Sequence, residues 1–138
     1  MRGLIISGFV AALALGGCAT TPPLPTEVTP VEASAYMDKR DVVLIDVRTP
    51  EEWAESGVAE GAERVTLQDP DFMAKVETIL DHDKDADVAF ICRSGARSAA
   101  ARDQLIAAGY ESVTSVTGGT LGEEGWIAAG LPVEAAPD

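Results

Sequence analysis

Residues 89–105 read AFICRSGARSAAARDQL, and their reading decides the fold. The apolar run VAFI leads up to Cys92, and a run of that length bounded by polar residues predicts a buried strand over Asp87 to Cys92. Arg93, Ser94, Gly95, Ala96 and Arg97 are not core residues, and Gly95 permits a tight turn with its amides facing inward. Ser98 to Ala108 is predicted as a helix, closed by Gly109 as a left-handed stop. The start of a helix presents unpaired amides that carry partial positive charge. A thiol at that focus loses its proton more readily than a free cysteine, whose pKa is about 8.5. The same amides can cradle an anion, and Arg93 and Arg97 add full charges nearby. Taken alone, a cysteine ending an apolar strand is more often a small buried hydrophobe. The loop that follows it is what argues for reactivity.

Outward from this stretch, helix and strand signals alternate. Thr29-Pro30-Val31-Glu32 carries a capping residue, proline at the first helical position and glutamate at the third, which predicts a helix to about Lys39. Val42 to Ile45 reads as a buried strand. Thr49-Pro50-Glu51-Glu52 repeats the capping signature and opens a short helix. Arg64 to Thr66 is predicted as a short strand. Asp69-Pro70 begins a third helix, with Phe72, Val76, Ile79 and Leu80 at helical spacing. Ser112 to Val116 is a strand, and Glu123 to Ala129 a short helix stopped by Gly130. Strands separated by helices need crossover connections, so the expected fold is α/β, with a mostly parallel central sheet covered by helices on both faces. Ligands of such sheets bind beyond the carboxyl ends of the strands, and Cys92 lies at one such end.

Four residues separate Cys92 from Arg97. The active-site loop of protein tyrosine phosphatases has five in that place and fits a tetrahedral phosphoryl group. Cys92-Arg93-Ser94-Gly95-Ala96-Arg97-Ser98 resembles the shorter loop of the rhodanese sulfurtransferases, which encircles the terminal sulfur of a cysteine persulfide. The resemblance extends over residues 31–134. Asp46-Val47-Arg48 matches the motif after the family's first buried strand, and Glu51-Glu52-Trp53 follows it. Gly61-Ala62 matches the end of the next motif. Ala107-Ala108-Gly109-Tyr110, Gly118-Gly119, Trp126 and Ala129-Gly130-Leu131-Pro132-Val133 are similar to the C-terminal third. Gly57 to Gly61 lacks the His-Ile-Pro usual between those glycines, and an acidic insertion lies around Glu123-Glu124. Both departures fall in loops that border the site and bear on substrate choice.

The chain has 138 residues, room for one domain, and a formal net charge of −13. That charge argues against nucleic acid, whose partners need a basic surface, and against an electrostatic grip on anionic lipid. The N-terminus reads as a signal rather than as fold: Met1-Arg2, an apolar run from Leu4 to Leu15, then Leu15-Gly16-Gly17-Cys18. The run is too short to span a bilayer, which takes about 20 residues. Leu-Gly-Gly-Cys resembles a bacterial lipoprotein signal. It implies removal of residues 1–17, lipid on Cys18, and, with Ala19 following, an outer-membrane location facing the periplasm. Residues 18–30 then form a lipid-anchored tether rich in proline and threonine, and residues 31–138 the folded domain. Without lipidation, Cys18 and Cys92 are open to a disulfide.

Other residues carry plainer readings. Asp46 and Arg48 are expected as structural support, with Arg48 anchoring neighbouring loops. His82, in a charged turn, is expected to be solvated, and no metal set is apparent. Trp53 and Trp126 are expected to pack against helices. The rhodanese resemblance implies sulfur transfer through a Cys92 persulfide, from a small donor such as thiosulfate to a thiol or cyanide, with no cofactor. It implies that amides from Arg93 to Ser98 hold the persulfide. Arg93 and Arg97 are the candidates for donor binding, and Arg97 can instead turn outward to an acid. The alternatives are a non-catalytic rhodanese-like binding or sensing module, and a phosphatase or arsenate reductase.

Overall fold

The computed structural model describes residues 20–137, so Cys18 and the predicted signal lie outside the described residues. The chain runs through β1 (Glu27–Val28), α1 (Pro30–Lys39), β2 (Val42–Asp46), α2 (Pro50–Ser56), β3 (Val58–Ala59) and β4 (Glu63–Arg64). It continues through α3 (Phe72–Ile79), β5 (Asp87–Ile91), α4 (Ala96–Ala107), β6 (Val113–Val116) and β7 (Val133–Glu134). Five strands form one sheet in the order β1-β6-β5-β2-β4, and every pairing in it is parallel. β3 and β7 form a separate antiparallel pair.

Local chemistry sets the helix starts. Thr29 and Thr49 each close a capping box: the threonine hydroxyl accepts from the amide of Glu32 or Glu52, and that glutamate accepts from the threonine amide. Proline fills the first position of both helices, where no amide hydrogen is needed. α3 starts at Phe72, later than expected, because Asp69 and Asp71 first form a turn: the Asp71 amide donates to Asp69 Oδ1 at 2.8 Å.

The sheet buries both faces. On one, Ile45, Val88 and Phe90 meet Phe72 and Val76 of α3 and Ala101 and Leu105 of α4. On the other, Leu44, Ala89, Ile91 and Val116 meet Ala33 of α1 and Trp126. The alternation follows from the twofold period of a strand, and burial on both faces explains why β5 is apolar from Val88 to Ile91.

Three expectations change. First, the stretch read as tether overlaps the sheet. β1 pairs in parallel with β6, Leu24 and Val28 are buried, and the Leu24 amide donates to Ser112 Oγ at 2.8 Å. Second, residues 123–129 form turns instead of a helix. Their amides are committed to a turn seven residues upstream: Trp126 N–H donates to Gly119 O at 2.8 Å and Ile127 N–H to Thr120 O at 3.2 Å. Third, Trp53 is half-buried outside both core clusters, with the Arg64 guanidinium 5.8 Å from its ring centre.

Candidate active site

Cys92 follows directly on β5, at the carboxyl end of the sheet, and α4 begins four residues later. The turn between them is made at Gly95, whose φ of +120° is a conformation that L side chains rarely adopt. This turn aims the loop's donors at the sulfur. The Gly95 amide donates to Cys92 Sγ at 3.0 Å, and Ser98 Oγ lies 3.4 Å from it. The helix begins at Ala96, two residues before the expected start, and so brings Ser98 onto the inner face of its first turn, where it is fully buried.

These contacts set the state of the thiol. Burial is the largest single influence and pushes its pKa up. The Ser98 hydroxyl and the amides of Ser98, Gly95 and Ser94 act against it, and together they hold the thiol below its ordinary value. Only 1% of the Cys92 surface is exposed, and apolar neighbours such as Val47 and Phe90 share its cluster. The side chain is therefore walled by core on one side and by inward-facing hydrogen-bond donors on the other.

A second loop holds the first in place. After β6 the chain turns through Gly118 and Gly119, then sends the Thr120 amide to Cys92 O at 2.8 Å and the Leu121 amide to Arg93 O at 3.0 Å. A Cβ on Gly119 would lie 2.5 Å from Cys92 O, so only glycine permits this approach. The paired glycines were legible as a motif, but their task, bracing the backbone of the cysteine loop, depends on a contact the sequence does not display.

The expected site residues separate into groups. Arg93, Ser94 and Ala96 are exposed around the loop, and Arg93 forms no ion pair among the described residues. Arg97 points to α2, where both guanidinium ends donate to Glu52 at 2.7 Å. The Arg97 guanidinium, with the Thr49 contacts adding to it against a partial burial penalty, holds the Glu52 carboxyl at about 2. Asp46 and Arg48 form a fully buried pair at 2.7 Å. Arg48 also donates to Ser56 Oγ and Gly57 O, each at 2.8 Å, and so ties the end of α2 to the end of β2. Neither Asp46 nor Arg48 hydrogen-bonds to the sulfur. Glu52 as the partner of Arg97, and Ser115, whose Oγ lies 2.8 Å from Ser98 Oγ, were not legible, because both lie far from the loop in sequence. His82 is exposed in a turn at a φ of +57°. Among the described residues, no group of three or more His, Cys, Asp or Glu is placed to hold a metal.

Residues 29–126 match the model of the rhodanese-like domain. A sulfurtransferase of Allochromatium vinosum is 38% identical over 98 residues, which cover 71% of this chain and 83% of that one. The thiosulfate sulfurtransferase GlpE of Actinobacillus succinogenes is 37% identical over 111 residues, covering 80% and 92%. Among solved structures, the rhodanese-like domain of an Anabaena protein superposes with a TM-score of 0.70 at 20% identity, covering 82% of this chain and 81% of that one. A Rhodopseudomonas palustris protein of unknown function, described as a possible tyrosine phosphatase, superposes with a TM-score of 0.64 at 28% identity, covering 78% and 83%. The parallel sheet, the cysteine loop at its carboxyl edge and these matches along most of the chain agree, and the protein belongs to the rhodanese family.

Proposed function

We propose that the protein is a sulfurtransferase that carries a sulfane sulfur on Cys92. Relatives named as sulfurtransferases at 32–38% identity support the activity in general. The observation that carries the finer reading is the polar setting of Cys92 Sγ, which accepts from the Gly95 amide at 3.0 Å and donates to Ser98 Oγ at 3.4 Å, inside a loop of four residues between cysteine and arginine. The Cys92 thiolate attacks the outer sulfur of a donor such as thiosulfate. A bond forms between Sγ and that sulfur, the donor's sulfur–sulfur bond breaks, and sulfite leaves with its electron pair. The loop amides hold the charge on the persulfide. A thiophilic acceptor, a cellular thiol or cyanide, then attacks the outer sulfur and returns the Cys92 thiolate. Arg93, exposed and unpaired beside the loop, draws in the anionic donor.

The near-complete burial of Cys92 favours a second reading, a rhodanese-like module that binds or senses a sulfur species without turnover. A chain of residues 20–138, assayed with thiosulfate and cyanide beside Cys92→Ser, separates the two. Thiocyanate formation lost in the variant supports the enzyme, and no formation by either protein supports the module. A phosphate ester as substrate tests the phosphatase alternative, with phosphate release its support.

We also propose a lipid anchor at Cys18, in the cell envelope of a bacterium. Its support is the apolar run and Leu15-Gly16-Gly17-Cys18 in the sequence. Intact mass of the full-length product made in a bacterial host, beside Cys18→Ser, decides it. A diacylated or triacylated mass lost in the variant supports the anchor, and an unmodified Cys18 rejects it.

A further inference from the structure

Behind the thiol lies a second buried hydroxyl. Ser98 Oγ is 2.8 Å from Ser115 Oγ, and Ser115, on β6, is 2% exposed. Cys92, Ser98 and Ser115 thus form a line of three polar atoms, with steps of 3.4 and 2.8 Å, running inward from the loop. We infer that Ser115 is a positioning residue, which fixes the direction of the Ser98 hydroxyl so that its proton faces the Cys92 loop and is free to bond the thiolate. The inference rests on the reading of Cys92 as the nucleophile.

The argument is one of hydrogen-bond accounting. A serine hydroxyl has one proton and two acceptor positions. Among the described residues, the only side-chain hydrogen bond of Ser115 is the one to Ser98 Oγ. A buried hydroxyl proton without an acceptor is costly, so Ser115 donates to Ser98. Ser98 is then barred from donating to Ser115. Its own proton has two remaining acceptors, Gly95 O at 3.0 Å and Cys92 Sγ at 3.4 Å. With the thiol neutral, Cys92 S–H and Ser115 O–H both donate to Ser98 Oγ, and Ser98 donates to Gly95 O. When the thiol proton leaves to solvent, the Ser98 proton swings from Gly95 O to the sulfur anion. Ser115 keeps donating to Ser98 and polarises its O–H. No proton is gained or lost except the one released by the thiol.

The charged groups on the elements around Cys92 include Arg93 in its own loop, Arg97 on α4 with Glu52 on α2, the Asp46–Arg48 pair at the end of β2, the Arg102–Asp103 pair farther along α4, and Asp87 at the start of β5, paired with Arg40. None of them touches Ser115, so substitution of Ser115 leaves the fixed charges in place.

The test is the pH dependence of Cys92 alkylation by iodoacetamide in the full chain, read on the Cys92 peptide by mass spectrometry. This reads the thiolate directly and does not depend on sulfur transfer. Ser115→Ala is expected to raise the midpoint by about half a unit, roughly a threefold loss of alkylation rate below it. In a Ser98→Ala background, Ser115→Ala is expected to have no further effect, because the link to the sulfur is already gone. Ser115→Thr and Ser115→Val share a shape and differ in the hydroxyl, so threonine is expected to keep the original midpoint and valine to raise it. That pair decides the matter if the alanine variant fails to fold. A midpoint unmoved by alanine or valine overturns the inference, as does a shift of equal size with and without Ser98. Loss of the functional reading is a separate result: Cys92→Ser that still transfers sulfur rejects the enzyme role and leaves the alkylation profile to be judged alone.

Discussion

Arg93 and Arg97 flank the thiol symmetrically in sequence, and the structure gives them different work. Arg97 is held by two 2.7 Å bonds to Glu52, while Arg93 is exposed and forms no ion pair among the described residues. Arg93→Ala is therefore expected to raise KM for thiosulfate about tenfold, with the melting temperature unchanged, since a single unpaired cation near a bound anion is worth on the order of 1–2 kcal/mol. Steady-state kinetics with a thermal melt check both halves. Gly119→Ala is expected to act differently. A methyl group 2.5 Å from Cys92 O must push the cysteine loop, and φ is +56° there, so kcat is expected to fall more than tenfold and stability by about 1–3 kcal/mol. Thiosulfate turnover and urea denaturation of the variant check it. At this scale the sequence revealed Cys92 and its loop because all the parts are contiguous. Ser115 and Glu52 stayed hidden because they reach the loop only through strand pairing and helix packing.

Helix α2 contributes no buried residue, so its place is fixed by polar ties. Arg48 grips its C-terminal end through Ser56 Oγ and Gly57 O, and Glu52 in its first turn binds Arg97 of α4. The Glu52 carboxyl, held at about 2 chiefly by Arg97, is ionised whenever the protein works near neutral pH. A folded-state pKa below the unfolded one gives stability that is complete above about pH 5 and lost as pH falls towards 2. For a carboxylate so placed the contribution is on the order of 2–3 kcal/mol. Glu52→Gln keeps a capping oxygen and removes the charge. It is expected to lower the melting temperature by roughly 5–10 °C at pH 7, with the gap narrowing as pH approaches 2–3. Thermal melts of both proteins across that range check it. The starts of α1 and α2 were readable because a capping box is complete within four residues. The helix expected over 123–129 was not formed because Gly119 and Thr120, outside the window, take its amides. β1 gave no sign at all: two residues among prolines have no period to read, and only β6 makes them a strand.

For the molecule as a whole, the edge strand makes the N-terminal segment part of the domain. Thr26 O accepts from the Ser115 amide and from Arg102, and Leu24 is seated on Ser112. A chain beginning at residue 31 loses these bonds and the burial of Leu24 and Val28, worth up to about 3 kcal/mol together. Its urea midpoint is expected about 1–2 M below that of a chain beginning at residue 20, measured by equilibrium unfolding. The same docking sets a direction. Thr20 to Pro23 lie beside Arg40, Asp87 and Ser112, at the amino ends of the strands, whereas Cys92 stands at the carboxyl end of β5. The five residues of β5 put about 17 Å between those two rims. Whatever grips the chain upstream of Thr20 therefore pulls on the foot of the sheet. Residues 20–23 thus leave the fold at the rim opposite the thiol and cover none of the loop around Cys92.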